Sequence, residues 1–115
     1  AELAVSRAQV EANFRRYDLL DDQVRFVAGW FSESLPALAG LPWAVIRLDG
    51  DLYESTLDAL TNLYPGLSPG GFCIVDDYGV HDACRQAVED YRRDNAITDP
   101  IIDIDGWGVY WRRSA

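Results

Sequence analysis

Lysine is absent from the 115 residues, and all ten basic side chains are arginine, at positions 7, 15, 16, 25, 47, 85, 92, 93, 112 and 113. Chemistry that needs a lysine amine, as Schiff base, general base or phosphate-loop anchor, is thereby excluded for this chain. Positive charge is scarce altogether. Nineteen acids against ten arginines leave a net charge of −9, which argues against nucleic acid and against an anionic membrane surface, since both reward a basic face. No apolar run approaches the roughly 20 residues that span a bilayer. The opening stretch AELAVSRAQVEANFRR is polar, amphipathic and acid-containing, unlike a signal peptide. Neither GxGxxG nor a phosphate-binding GxxxxGKS/T loop occurs, so the usual nucleotide fingerprints are missing. Cys73 and Cys84 have no CxxC spacing and sit in apolar-periodic contexts. They read as buried small residues in a reducing compartment, and the expected location is cytoplasmic.

What is present is a core. With 49 % of residues hydrophobic and 12 % aromatic, residues 1–115 are expected to form a single domain rather than a disordered tail. Ala8 to about Leu20 reads as a helix with Val10, Phe14, Tyr17 and Leu20 on one face. VRFVAG (24–29) reads as a strand, and WFSESLPALAG as irregular or one helical turn broken by Pro36. LPWAVIRLD reads as a second strand, its continuous apolar run suiting burial on both faces. A helix is expected from Asp51, which with Glu54 has capping-box spacing. YPGLSPGG stops that helix, with Gly70-Gly71 as a turn, and FCIVDDYG is a third apolar strand. Asp82 can cap the next helix, and IIDID–GWG–VYWRR reads as a terminal antiparallel hairpin whose Trp107 and Trp111 are core or interface residues. Strands alternating with helices imply an α/β, three-layer architecture with a mostly parallel sheet.

Ligands of such sheets bind at the carboxyl ends of the strands. Asp49, Asp51, Asp76 and Asp77 emerge at one rim if their strands are parallel neighbours. Four gathered carboxylates repel unless a cation or protons intervene. Oxygen-only ligands with no histidine or cysteine nearby point to a hard divalent ion such as Mg²⁺. The same residues also allow plainer roles, Asp51 as a helix cap and Asp76-Asp77 as a solvated turn. His81, the one histidine, is a substrate contact, an auxiliary base or a surface-loop residue. Trp30 and Phe31 either stack on a flat ligand or pack in the core.

VRFVAGWFSESLP, RLDGDLYESTLDALTNLYPGLSPGGFCIVDDYG and CRQAVEDYR, in that order, resemble the macrocin O-methyltransferase family, which methylates sugar hydroxyls of macrolide and aminocoumarin antibiotics using S-adenosylmethionine and Mg²⁺. The resemblance implies a Rossmann-like class I methyltransferase fold that here lacks its first strands, that is, its C-terminal half. It implies Asp49, Asp76 and Asp77 as metal ligands, Asp51 as general base, and Gly29, Trp30 and Phe31 on the cofactor side. Tyr53, Tyr78 and His81 become candidate contacts to a small glycosylated substrate. The family's Gly-rich turn and ribose-binding acid are missing, so the chain alone is expected to be incompetent in methyl transfer, and pairing of two copies through an exposed sheet edge or the hairpin is plausible. Two other readings compete. A haloacid dehalogenase-like phosphatase would use the DxD of RLDGD with Mg²⁺, although that class normally places a lysine or arginine at the site and lysine is absent. A non-enzymatic half-domain would bind a partner through its edge and hairpin.

Overall fold

A computed structural model describes residues 5–114, and the chain divides into two compact units, 1–30 and 31–115. In the first unit α1 spans Arg7–Arg16. The Ser6 hydroxyl accepts from the Gln9 N–H at 3.1 Å, satisfying one of the orphan donors of the first turn, and Arg15 and Arg16 complement the dipole at the other end. The helix stops short of the expected Leu20 because Asp18 takes φ +57°, a left-handed conformation that no helix continues through. Phe14 meets Phe26 edge to face at 5.5 Å. Residues 24–29 do not form the strand expected of them. Their β-branched and aromatic composition suits a pleated surface, but a strand exists only by pairing, and no ladder partner is present among the described residues. Residues 1–4, part of the polar opening stretch, lie outside the described ones.

The second unit runs α2 (Phe31–Ser34), a 3-10 turn (Leu35–Leu38), β1 (Trp43–Leu48), α3 (Tyr53–Leu63), a 3-10 turn (Tyr64–Gly66), β2 (Leu67–Val75), α4 (Asp82–Asp94), β3 (Ile102–Asp103) and β4 (Val109–Arg112). The sheet order is β1-β2-β4-β3. β1 and β2 are parallel, joined through α3, whereas β4 is antiparallel to both β2 and β3. The sheet is therefore mixed rather than mostly parallel, because the terminal hairpin supplies two of its strands. Ile46, Leu48, Cys73, Val75, Val109 and Trp111 share one sheet face and form a single core with Ala59 and Leu60 of α3 and Cys84, Val88 and Tyr91 of α4. Val45, Arg47, Phe72, Ile74, Tyr110 and Arg112 occupy the other face and are exposed or half-buried. β1 is thus buried on one face, not two: Val45 is 52 % exposed, Ile46 only 5 %.

Three local expectations are corrected. Gly70 and Gly71 lie inside β2, not in a turn before it, at an irregularity where Trp43 pairs with Leu67 but Val45 already pairs with Phe72. Gly70 has φ +85°, and a side chain at Gly71 would press within 2.8 Å of the Ala44 carbonyl, so a bulge packs here that only glycine fits. Asp51 caps nothing: the N-cap of α3 is Leu52, without a side-chain bond. Asp82 is the first residue of α4 and His81 its N-cap, again without a side-chain bond. Both polar side chains at these helix starts are engaged elsewhere, Asp82 with Arg85 at 3.1 Å and Asp51 as described next.

Candidate functional site

β1 and β2 are parallel neighbours, so the residues after them leave the sheet at the same rim. Asp49 follows Leu48 and Asp76 follows Val75, with the ladder extended by the Asp76 N–H donating to the Leu48 carbonyl at 3.0 Å. The turn into α3 is anchored from beneath, because the buried Thr56 hydroxyl donates to the Gly50 carbonyl at 3.1 Å. That bond holds Asp49 and Asp51 on either side of a fixed glycine. The Asp77 carbonyl accepts from the N–H groups of Val80 and His81 at 3.1 and 3.0 Å, folding the chain after β2 into the turn that brings His81 back to the rim.

Donor atoms of Asp51, Asp77 and His81 lie within 4.8 Å of one another. His81 Nε2 stands 3.6 Å from Asp51 Oδ1. Asp49 belongs to the same crowd, since it and Asp51 both act on the Asp77 carboxyl. Burial first, and then these two neighbours, push that carboxyl up to about 6. Asp77 Oδ2 is buried and has no hydrogen-bond partner. A carboxylate with a buried, partnerless oxygen and other carboxylates close by is a costly arrangement unless a proton or a cation completes it. The carboxylate oxygens suit a hard divalent ion, whereas the His81 imidazole beside them is a donor of the borderline kind that the oxygen-only expectation did not include.

Asp76 is placed differently. Arg47 clasps it with Nη2 2.8 Å from Oδ2 and Nε 3.2 and 3.0 Å from Oδ1 and Oδ2. This pair joins the ends of β1 and β2 across the ladder and raises the Arg47 guanidinium above its usual range. Tyr53 donates to Asp90 Oδ2 at 2.7 Å and Tyr78 to Glu89 Oε1 at 3.3 Å, so both phenols bind α4 rather than line the acidic groove. Phe31 lines a small apolar cavity of about 80 Å³ with Leu35, Leu48, Asp49 and Gly50. Gly29 and Trp30 belong to the first unit, where Trp30 is 78 % exposed.

On the hairpin side, an open groove of about 540 Å³ is lined by Arg47, Asp49, Asp76 and Asp77 together with Ile104 and Trp107. Two features here escaped the sequence reading, the Arg47–Asp76 clasp and the approach of Trp107. The first had a signal available: once β1 and β2 are paired in register, Arg47 sits opposite Ile74, two residues before Asp76.

The raised Asp77 carboxyl gives a sign to the pH response. Its folded-state pKa lies above the roughly 3.9 of an unfolded aspartate, so its contribution to stability is fully present below that value and is lost as pH rises through about 6. Thermal melts of the metal-free chain between about pH 4 and pH 7 should show this component falling, and Asp77→Asn should lack it. Equal pH slopes in the two proteins would remove the crowding argument.

An α/β sheet with its acids at the carboxyl rim of adjoining parallel strands is a ligand site of the kind that open α/β proteins carry. A family model of macrocin O-methyltransferase (TylF) matches residues 1–113, and the chain belongs to that family. It is 65 % identical over 113 residues to the 8-demethyl-8-(2,3-dimethoxy-α-L-rhamnosyl)-tetracenomycin-C 4'-O-methyltransferase of Streptomyces olivaceus, covering 98 % of this chain and 43 % of that protein. It is 55 % identical over 114 residues to the mycinamicin III 3''-O-methyltransferase of Micromonospora griseorubida, covering 99 % and 44 %. The solved structure of the O-methyltransferase NovP superposes with a TM-score of 0.95 at 56 % identity, over 98 % of this chain and 47 % of that one. The chain spans less than half the length of the curated relatives it matches. No helix among the described residues is long and apolar enough to cross a membrane.

Proposed function

We propose that this chain carries the metal and acceptor side of an S-adenosylmethionine- and Mg²⁺-dependent O-methyltransferase acting on a sugar hydroxyl of a glycosylated natural product. The observation that carries the reading is the Asp77 carboxyl at the rim of two parallel strands, crowded by Asp51 and Asp49 and with its buried Oδ2 lacking a hydrogen-bond partner. The relatives' names, all sugar-directed or antibiotic O-methyltransferases, support it over a phosphatase. We read the fold as the C-terminal part of a three-layer class I methyltransferase domain, in which a further layer would lie on the open sheet face. Cys73 and Cys84, free and buried, suit a reducing compartment, and we assign the reaction to the cytoplasm.

Asp49 and Asp77 would hold the ion, with Asp76 joining through lone pairs that Arg47 leaves free on its oxygens. A bound Mg²⁺ supplies the charge that makes a sugar hydroxyl acidic, and S-adenosylmethionine supplies the methyl group. Asp51 would then take the hydroxyl proton, with His81 Nε2 3.6 Å from its Oδ1 as an auxiliary group. Arg47 keeps Asp76 in place on the rim and offsets part of the acidic field. Gly29, Trp30 and Phe31 are assigned to the cofactor side, and Tyr53 and Tyr78 to the support of the acceptor side through their bonds to α4.

The test is thermal stability with and without the ion. Mn²⁺ or Mg²⁺ at about one hundred times its Kd should stabilise the chain by about 2.7 kcal/mol. Asp77→Asn should abolish the gain, and EDTA should reverse it. A metal-insensitive melting curve for the unaltered chain would sink the reading.

A further inference from the structure

The carboxylates account for the reacting end of the acceptor but not for how a sugar ring would be held over them. The segment Asp103–Gly108, between β3 and β4, supplies a surface of different chemistry. Trp107 is 65 % exposed and Ile104 54 %, and both line the groove that contains Asp49, Asp76 and Asp77. A single exposed tryptophan on a loose loop needs no explanation. This loop is not loose.

Asp105 Oδ1 accepts from the N–H groups of Trp107 and Gly108 at 3.0 and 2.9 Å, and these two bonds hold its carboxyl below the usual range. Asp103 accepts from the Gly106 N–H at 3.2 and 3.0 Å through its two oxygens. Gly106 turns the chain at φ +86°. The loop is also fastened to the acidic rim itself. The Gly79 N–H donates to the Trp107 carbonyl at 2.7 Å, and a side chain at Gly79 would collide with the Gly106 carbonyl. A side chain added at Gly108 would come within 3.5 Å of the Asp76 carbonyl oxygen, so the loop runs close over the rim. The backbone that carries the indole is thus tied to the segment after Asp76 and Asp77, while the side chain stays largely exposed.

A pyranose ring matches this pairing of surfaces. Its hydroxyls suit the carboxylates and Arg47, while its axial C–H bonds present a weakly positive apolar face to the negative face of an indole. A wholly apolar ligand would leave the acids desolvated and unpaired. We propose that Trp107, with Ile104 beside it, is the platform on which the acceptor's sugar ring lies, and so an acceptor-binding residue that selects the glycoside. The proposal rests on the reading of the carboxylate site as that of a sugar O-methyltransferase.

The experiment uses the chain with 5-fluorotryptophan at its four tryptophans, observed by fluorine NMR, with the Trp107 signal assigned by its loss in Trp107→Phe. Methyl α-L-rhamnopyranoside, added with Mg²⁺ present, should move the Trp107 signal saturably and leave buried Trp111 unmoved. Saturation-transfer signals on the sugar's ring protons should report affinity about tenfold weaker in Trp107→Ala and only slightly weaker in Trp107→Phe. A Trp107 signal that stays put at saturating sugar, or sugar affinity unchanged in Trp107→Ala, overturns the proposal. A separate arm adds Mn²⁺ and follows the signals of His81, the one histidine. If Mn²⁺ leaves them sharp, the catalytic reading fails on its own, whatever Trp107 does.

Discussion

Asp51→Asn is expected to lower kcat for methyl transfer by about 100- to 10 000-fold, the range that a positioned base contributes, while leaving the fold as stable as before or more so. The two halves of this expectation come from the same geometry. Asp51 makes no capping bond to α3, so neutralising it removes no helix contact. It does crowd Asp77, whose carboxyl is pushed up to about 6 by burial and by Asp51 and Asp49, so the substitution relieves repulsion. A helix-cap role predicts the reverse, a loss of about 1 kcal/mol in stability with catalysis largely intact. Because the chain spans under half of its relatives' length, the assay belongs in a hybrid, with residues 1–113 replacing the matching segment of the Streptomyces olivaceus relative. Transfer of a labelled methyl group to a rhamnoside is then compared with thermal melts of the same variant. Full activity, or a melting temperature lowered by several degrees, would return Asp51 to the role of a cap.

What the sequence made legible was whatever depends on residues near one another along the chain. The apolar run 43–48 followed by acids, the 3,4 repeat over Tyr53–Leu63, and the GWG break in the last hairpin each signal their element locally, and each element formed. Asp49 and Asp76 could be placed on one rim because strands that alternate with helices pair in parallel. The misreadings share a different character. VRFVAG has a strand's composition, yet strandedness is a property of a pair. The capping box at Asp51–Glu54 has the right spacing, but the Asp51 side chain has competing neighbours in Asp77 and His81 that lie 26 and 30 positions away. The SPGG segment reads as a turn until the register of β2 against β1 shows it to be a bulge. Asp76 looked equivalent to Asp77, and only the strand pairing reveals that Arg47 claims one and leaves the other with an orphaned oxygen.

Trp111→Ala is the stability counterpart of the Asp51 change and is expected to cost about 3–5 kcal/mol, the usual range for emptying a fully buried large aromatic site. Trp111 is completely buried at the centre of β4. Its Nε1 donates to the Tyr64 hydroxyl at 3.1 Å, and the Arg92 guanidinium lies over its ring at 4.6 Å. Removing the indole therefore opens a cavity, takes a partner from Tyr64, and exposes a fault already present, since Arg92 Nη1 is buried without an acceptor. For a domain holding about 5–15 kcal/mol in all, such a loss approaches the limit of folding at 37 °C. Trp111→Phe keeps most of the volume and the ring face, so it should cost less than half as much. Urea titrations of the three proteins measure the series, and a Trp111→Ala loss under about 1 kcal/mol would show that this core closes around the gap. The effect should also reach the site: β4 pairs with β2 from Phe72 to Val75, directly before Asp76 and Asp77. A weakened β4 therefore loosens the rim from below, and Trp111→Ala should lose part of the metal stabilisation while Trp107→Ala keeps it, because the buried indole supports the strand and the exposed one only faces the groove.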